Sequence, residues 1–263
     1  MIVRHESDGS TVMITQNDHA LVSGLFAAHW GNASFERAHP YQSVVRATSF
    51  HDRGWIDYET SPRVHADGHT PNYRDVPNDE KQLRAFRWAS DWLSGIDPYA
   101  GLLSARHRSG LYQNRYGAIT HPALVNRGTL PEDIKTFIAA SETQQAQAAV
   151  AFNTDELSVN YNLLQVWDMM SLYVCSTPNL APATIGPAPK NYRGDSVLLS
   201  LTPQETNEIQ LDPWPFDVPE LVANVVYRRL GKQIFVDDAD LREAYFKTAP
   251  AVMAFRFVNR IHA

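Results

Sequence analysis

Residues 155–175 read DELSVNYNLLQVWDMMSLYVC, and apolar side chains cover almost every side of the helix that this stretch predicts. Such a helix is typical of the centre of a bundle, because a helix with a solvent face would carry a polar stripe. Asp168 nevertheless lies in it, with Leu164 and Leu172 one turn to either side. Burying an unpaired carboxylate costs several kcal/mol, so a cation must neutralise it: an arginine, a lysine or a metal ion.

The chain around this stretch contains both helical and β-like patterns. Helical spacing of apolar side chains also occurs at residues 15–32, 40–52, 79–95, 97–112 and 130–152. Residues 1–6 and 11–15 flank the turn SDGS and predict a short hairpin. After residue 195, short β-like runs such as SVLLSL and VANVVYRRL replace the helical pattern, with one further helix at residues 238–249.

These patterns predict a mainly α fold, in which about six helices form a bundle and a smaller β-rich part packs against it. Residues 1–175 form the helical domain, including the N-terminal hairpin. Residues 176–194, STPNLAPATIGPAPKNYRG, are rich in Pro, Ala and Gly and are interpreted as a linker or surface crossing. Residues 195–263 form the β-rich extension, whose sheet the hairpin could join.

Composition narrows the class of protein. The chain has 263 residues, 44% of them hydrophobic, which is enough for a proper core. Its formal net charge of -6 and the lack of a basic run argue against nucleic acid as a partner. Cys175 is the single cysteine, which excludes an intramolecular disulfide framework and a Cys-rich zinc site. No apolar stretch approaches the roughly 18 residues of a membrane span and the N-terminus lacks an apolar signal core, so the sequence predicts a soluble, cytoplasmic protein.

Two earlier helices carry polar groups that suit Asp168. His19 shares a helix face with Val22, which is the face expected in the core. His51 and Asp52 end the second long helix, where a positive charge would suit the helix dipole but the carboxylate of Asp52 would not. A divalent ion bound by all four polar side chains accounts for this mismatch. Imidazole and carboxylate ligands without thiolates suit Zn, Mn, Fe and similar ions, and point away from a closed structural zinc site.

The ordered set of His19, the doublet His51-Asp52 and Asp168 resembles the H…HD…D pattern of the HD-domain superfamily of metal-dependent phosphohydrolases. The strings QNDHALVSGLFAAHWG, HDRGW, HRSGLY and LLQVWDMMSLYVC also resemble a bacterial family of uncharacterised proteins with an HD-like arrangement. The resemblance implies an HD-like helical bundle over residues 15–175. It also implies that these four side chains bind the metal, and that a metal-activated water attacks a small phosphorylated substrate.

His107, in the helical segment at residues 97–112, is a further candidate metal ligand. Some HD-type proteins carry additional histidines between the doublet and the late aspartate and bind two metals. The resemblance therefore implies one or two divalent ions per chain, of Fe, Mn, Zn, Ni or Co. His65, His69 and His121 are weaker candidates for the same role.

Side chains near the doublet are candidates for catalysis and for substrate contacts. The predicted catalytic residues are Asp52 as a metal ligand, His107 as a substrate contact or second-metal ligand, and Arg53 as the cation that neutralises a phosphate. Weaker predicted substrate contacts are Arg106, Arg108, Trp55 and Tyr58.

The same residues are compatible with other functions. Diiron oxygenases that resemble myo-inositol oxygenase use the pattern H…HD…H…H…D and would cleave a C–C or C–P bond with dioxygen. A non-catalytic metal- or ligand-binding protein is a further alternative. Taken singly, His19 could be a core histidine bonded to a carbonyl group, and Asp168 could pair with Arg46. The sequence leaves the substrate and the oligomeric state open, a homo-oligomer included.

Overall fold

The computed structural model describes residues 1–76, 79–113, 130–205 and 207–259. The protein is 48% helical and 21% strand, and its seven strands form one curled mixed sheet with the shape of a half-barrel. It is therefore an α/β protein, and the prediction of a mainly α helical bundle with a β-rich C-terminal extension is wrong. The sheet is a major part of the fold and not an extension of it, because strands from both ends of the chain and from the predicted linker join it.

Within the described residues, two strands begin the chain, seven helices follow in the middle, and the remaining strands and one further helix lie in the C-terminal part. The helices are α1 (Gln16–His29), α2 (Tyr41–Phe50), α3 (Ile56–Glu59), α4 (Glu80–Ile96), α5 (Pro98–Tyr112), α6 (Glu132–Ala149), α7 (Thr154–Ser176) and α8 (Asp238–Lys247). The strands are β1 (Ile2–His5), β2 (Thr11–Ile14), β3 (Ala183–Pro189), β4 (Ser196–Pro203), β5 (Glu208–Asp212), β6 (Glu220–Leu230) and β7 (Ala251–Asn259).

The sheet has the strand order β1-β2-β6-β7-β5-β4-β3. Its neighbours run antiparallel except β5 and β7, which are parallel. The N-terminal hairpin joins the sheet through β2, where Thr11 lies opposite Leu230 of β6. β7 lies in the middle, with Phe257 opposite Leu221 on one side and Ile209 on the other. Strand β3 falls inside residues 176–194, the segment interpreted above as a linker or surface crossing.

One face of the sheet lies in the core. In β6, Leu221, Ala223 and Val225 are buried, whereas the side chains between them are exposed, as expected of a strand with one solvated face. These residues belong to the same hydrophobic core as α1 and α7. Phe26 of α1 meets the Phe257 ring edge-on at 5.1 Å between ring centroids, which fixes α1 against the inner face of the sheet.

Helix α7 is the central helix, as the sequence predicted. It packs against α1, α2 and α5 and against strands β1 and β3. The four consecutive residues from Leu164 to Trp167 are fully buried, and consecutive residues point to different sides of a helix. Asp168 is therefore held among neighbours from three other helices. Among the helices of the described ranges, none combines the length and apolarity that crossing a bilayer requires.

Candidate metal centre

Five of the predicted site residues meet where α1, α2, α5 and α7 cross. His19 lies on α1, His51 and Asp52 directly follow α2, His107 lies on α5 and Asp168 lies on α7. Each residue is at most 5% exposed. Their potential ligand atoms form two overlapping groups, His19–His51–Asp168 and His51–Asp52–His107, and within each group these atoms lie within 4.8 Å of one another.

A close approach of α1 and α2 brings the first three residues together. A Cβ atom at Gly24 of α1 would lie 2.0 Å from Ser49 Oγ and 3.1 Å from the Ser49 Cα atom. Only glycine fits this contact without moving the backbone of α2. The crossing places the His19 and His51 rings edge-to-face, with 5.3 Å between their centroids. The His51 and His107 ring centroids are 4.6 Å apart.

The distances between nitrogen and oxygen atoms suit ligands that share an ion. His19 Nε2 lies 3.0 Å from Asp168 Oδ1 and 3.6 Å from Asp52 Oδ2. His51 Nε2 lies 3.5 Å and 3.7 Å from the same two oxygens. Two ligands about 2.1 Å from one ion, at octahedral or tetrahedral angles, are roughly 3.0–3.4 Å apart. The observed spacings are at or just above this range.

The two inward-facing nitrogens are buried without hydrogen bonds. Neither His19 Nε2 nor His51 Nε2 is in hydrogen-bond geometry with any group in the described part of the chain, despite the nearby carboxylates. A buried polar atom normally has a partner, because losing one costs about 1–3 kcal/mol. Two imidazole nitrogens and two carboxylates that converge on one point in the core are typical of a metal site, in which the nitrogens bind the ion after losing their protons. The arrangement therefore fits a bound cation better than a hydrogen-bonded core cluster.

The other nitrogen of each ring is held by a neighbouring group on its own or the facing helix. His51 Nδ1 donates to the Thr48 carbonyl oxygen at 2.7 Å. His19 Nδ1 lies 2.5 Å from the Ser171 hydroxyl, which itself donates to the Asp168 carbonyl oxygen at 2.8 Å and can therefore accept the imidazole proton. These contacts orient the two rings so that Nε2 of each ring faces the carboxylates and is the available ligand atom.

Ser171 and Thr48 are site residues that sequence reasoning missed. Ser171 is three residues after Asp168, and Thr48 is three residues before His51. Both positions are one helical turn from a ligand, which was the available signal. A serine or threonine at such a position is common in helices without any site, so the signal alone does not single them out.

Charge shifts the pKa values within the cluster. Burial alone would lower the pKa of His51, but the charges of Asp52 and Asp168 outweigh it and raise that pKa to about 9. Burial would raise the pKa of Asp168, but the His19 and His51 rings hold it well below its usual range. Burial and the nearby charge of His51 lower the pKa of His107 to about 3, which keeps its ring neutral and able to bind a metal.

The structure also locates the residues predicted to contact substrate. Arg46 does not pair with Asp168 but forms an ion pair with Asp97, at 2.6 Å. The Arg53 guanidinium lies over the Trp92 ring, with 5.2 Å from Cζ to the ring centroid. The Arg108 guanidinium lies 3.3 Å from the Phe86 centroid, and Nη2 donates to the Tyr112 hydroxyl. The contacts of Arg53 and Arg108 are thus largely with aromatic rings, which explains how two cations fit beside the core.

The remaining predicted residues are spread around this region. Trp55 is buried and packs edge-on against Phe86, whereas Tyr58 and Arg106 are half-buried. His69 lies on the surface loop before α4, with its Nδ1 atom 3.5 Å from Asp67 Oδ2. His65 is exposed on the same loop, and His121 lies outside the described residues.

The fold and the cluster define an α/β protein with a buried His/Asp site on the helical side of a half-barrel sheet. The chain belongs to the family DUF3891, described as proteins of unknown function, whose match covers residues 1–232. Searches of curated proteins and of solved structures found no match.

The family match and the mixed seven-stranded sheet overturn the resemblance to the HD-domain superfamily. The predicted relationship to the HD-domain superfamily was wrong because it rested on the order H…HD…D along the chain. Three helices that carry such residues can bring them together in more than one architecture, so the pattern describes a site and not a fold.

Proposed function

We propose that the cluster is a divalent metal centre and that the protein is a metal-dependent phosphoester hydrolase. One observation carries the metal. The Nε2 atoms of His19 and His51 converge with the carboxylates of Asp52 and Asp168 at 3.0–3.7 Å, and neither nitrogen makes a hydrogen bond within the described residues. Two buried carboxylates that lie close together favour a cation between them.

The ligand types support a borderline or hard divalent ion. Imidazole and carboxylate groups without a thiolate suit Fe, Mn, Zn, Ni or Co. The two overlapping ligand groups share His51, so the cluster fits one ion bound by either group, or two adjacent ions with a carboxylate of Asp52 or Asp168 between them. His107 belongs only to the second group, so it binds a metal when that group is occupied and otherwise can face the substrate.

A bound divalent ion lowers the pKa of a coordinated water to near 7 and so supplies a hydroxide nucleophile. The protein side chains then have separate roles in hydrolysis. Asp52 and Asp168 contribute negative charge that retains the cation, and His19 and His51 are oriented by Ser171 and Thr48. His107 is neutral and can bind a metal or donate a hydrogen bond to the substrate. Arg106, half-buried next to His107 on α5, is the cation that we assign to the substrate phosphate.

Two other functions each have an observation in their favour. The overlapping ligand groups suit a diiron oxygenase, because the two oxygens of Asp52 or Asp168 could each bind one of two adjacent ions. The deep burial of all five ligands suits a non-catalytic metal- or ligand-binding protein. Iron near two per chain with oxygen-dependent turnover would favour the oxygenase. Bound metal with no turnover of any phosphoester would favour the binding protein.

The test is metal content followed by activity. Purified protein is stripped, reconstituted separately with Mn, Fe, Zn, Ni and Co, and analysed by inductively coupled plasma mass spectrometry. We expect one or two ions per chain in the unmodified protein and none in His19→Ala, whereas the matched surface variant His69→Ala should bind as the unmodified protein does. Absence of metal under every condition would exclude the proposed centre.

Activity is then measured on the metal-loaded protein with phosphomonoesters, nucleotides and cyclic dinucleotides. Release of inorganic phosphate or nucleotide that is lost in His19→Ala and kept in His69→Ala would support the hydrolase. Oxygen uptake measured in parallel separates the oxygenase. A small phosphorylated molecule as the partner, a homo-oligomer and a cytoplasmic location remain predictions from the sequence.

A further inference from the structure

Glu59 is a buried carboxylate that joins the two segments from which the first three ligands come. It is the last residue of α3, seven positions after Asp52 in the chain, and it is 6% exposed. One carboxylate oxygen accepts a hydrogen bond from the Gln16 backbone N–H, and the other accepts from Asn17 Nδ2 at 2.7 Å. Gln16 and Asn17 are the first two residues of α1.

The start of α1 needs such a partner because the first N–H groups of a helix have no acceptor within the helix. Thr15, the N-cap residue directly before α1, meets part of this need, since its hydroxyl oxygen accepts from the Asp18 N–H at 2.8 Å. Glu59 meets another part from a different segment of the chain. Burial raises the pKa of Glu59 to about 7, so at neutral pH part of the population places a negative charge at the positive end of the α1 dipole.

The contact has a consequence for the metal ligands. His19 lies in the first turn of α1, one turn from Gln16, and its Nε2 atom is 3.6 Å from Asp52 Oδ2. The doublet and Glu59 belong to one short segment, joined by the turn at Arg53–Trp55 and by α3. A displacement of the start of α1 relative to this segment would therefore change the spacing between His19 and Asp52.

We propose that Glu59 is a positioning residue for the metal centre. Glu59 holds the start of α1 against the segment after the doublet and so maintains the distance between His19 and Asp52. This inference rests on the metal binding of the proposed function. It requires no contact between Glu59 and the ion.

An ordinary helix cap would also make these hydrogen bonds, and Thr15 separates the two roles. Thr15→Ala removes a cap at the same helix end but leaves the link between α1 and α3 in place. Glu59→Ala removes the link. Glu59→Gln keeps an oxygen that can accept from the Gln16 N–H but loses the charge and one acceptor.

The experiment uses the full chain loaded with Co(II), whose visible absorption bands report the ligand geometry. Affinity is measured by competition with a chromophoric chelator, and folding is checked by circular dichroism and thermal unfolding. We expect Glu59→Ala to weaken metal binding about 10–100-fold, as for other residues that orient ligands, and to shift the Co(II) bands. Glu59→Gln should lie between Glu59→Ala and the unmodified protein, and Thr15→Ala should change affinity less than about threefold.

The outcomes separate this inference from the function on which it rests. If the unmodified protein binds metal and Glu59→Ala keeps its affinity and its Co(II) spectrum, the positioning role is wrong and the metal centre stands. If Thr15→Ala and Glu59→Ala weaken binding equally, Glu59 is only a helix cap and the inference is again wrong. If the unmodified protein binds no metal, the proposed centre and this inference fall together.

Discussion

Histidine and aspartate side chains come together both in the buried cluster and on the surface around His69, and the two regions differ in burial and in the orientation of their side chains. In the cluster at the crossing of the helices, His19, His51 and Asp168 are at most 4% exposed. On the surface, the His69 and Asp67 side chains are 37% and 68% exposed, and the His5 ring meets the His69 ring at 5.2 Å. Residue type alone therefore does not identify a metal centre.

Orientation and burial make the difference between the two regions. In the buried cluster, Ser171 and Thr48 hold one nitrogen of a histidine and turn the other toward the carboxylates. On the surface, water can solvate each group separately, so nothing forces the side chains to share a cation. The comparison predicts that changes in the buried cluster alter metal binding, whereas equivalent changes on the surface do not.

The largest effect on metal affinity is expected from Asp168→Asn, for which Asp67→Asn on the surface is the matched control. Asp168→Asn removes a charged ligand from the buried cluster and should weaken metal binding by more than about a hundredfold, because even residues that only orient a ligand account for 10–100-fold. Asp67→Asn makes the same change on the surface and should leave affinity unchanged. Chelator competition measures both, with circular dichroism as the folding control. Equal effects of the two substitutions would abolish the distinction between the regions.

The next effect is the pH dependence of metal binding. The pKa of His51 is raised to about 9, so this ring is protonated at pH 7 in the metal-free protein and must release a proton to bind an ion. Affinity should therefore rise about tenfold per pH unit from pH 7 to 9 and level off above 9. His107 is already neutral in this window and adds no dependence. An affinity that is flat between pH 7 and 9 would contradict the charged state of His51.

The same group gives a check in the metal-free protein. The folded pKa of His51 lies above the usual value of 6.5, so its contribution to stability is complete below pH 6.5 and is lost as the pH rises toward 9. The free energy of unfolding, measured with urea, should fall across this window through His51. His51→Gln should show a smaller fall. Replacing a surface histidine such as His69 should leave this fall in the free energy of unfolding unchanged.

The smallest effect is expected from two serines on α7. Ser171→Ala removes the partner of His19 Nδ1 and should weaken metal binding about tenfold, at the lower end of the range for such residues. Ser158 lies on the same helix, is exposed, and donates only to the carbonyl oxygen one turn earlier. Ser158→Ala should change affinity less than about twofold. If both serine variants bind as the unmodified protein does, the orientation of His19 does not depend on Ser171.

Much of the candidate site could be predicted because its residues conflict with their local surroundings. Asp168 in an apolar helix and Asp52 at a helix C-terminus are each unfavourable alone, and this conflict pointed to a shared cation. Glu59, Ser171 and Thr48 could not be predicted, because a polar residue near a helix end or one turn from a ligand is unremarkable in a single sequence. Arg53 and Arg108 look like phosphate ligands in sequence, but their stacking on aromatic rings depends on the tertiary structure.

Within the fold, the helices were predicted better than the sheet. Helices follow from local periodicity, and α7 was found in this way. The sheet depends on pairings between distant segments: β2 with β6, and β5 with β7. No local pattern encodes which strands become neighbours, and the prolines and glycine of β3 obscured its strand character. The half-barrel was therefore mistaken for a small extension.

The position of β7 bears on where the folding unit ends. The family match stops at residue 232, but β7 lies beyond it and separates β1-β2-β6 from β5-β4-β3. A polypeptide that ends at residue 232 would lack the central strand of the sheet. It would keep two smaller sheets with exposed edges in place of the one sheet that packs against α1 and α7. The family match thus ends before the sheet is complete, because the central strand β7 lies at residues 251–259.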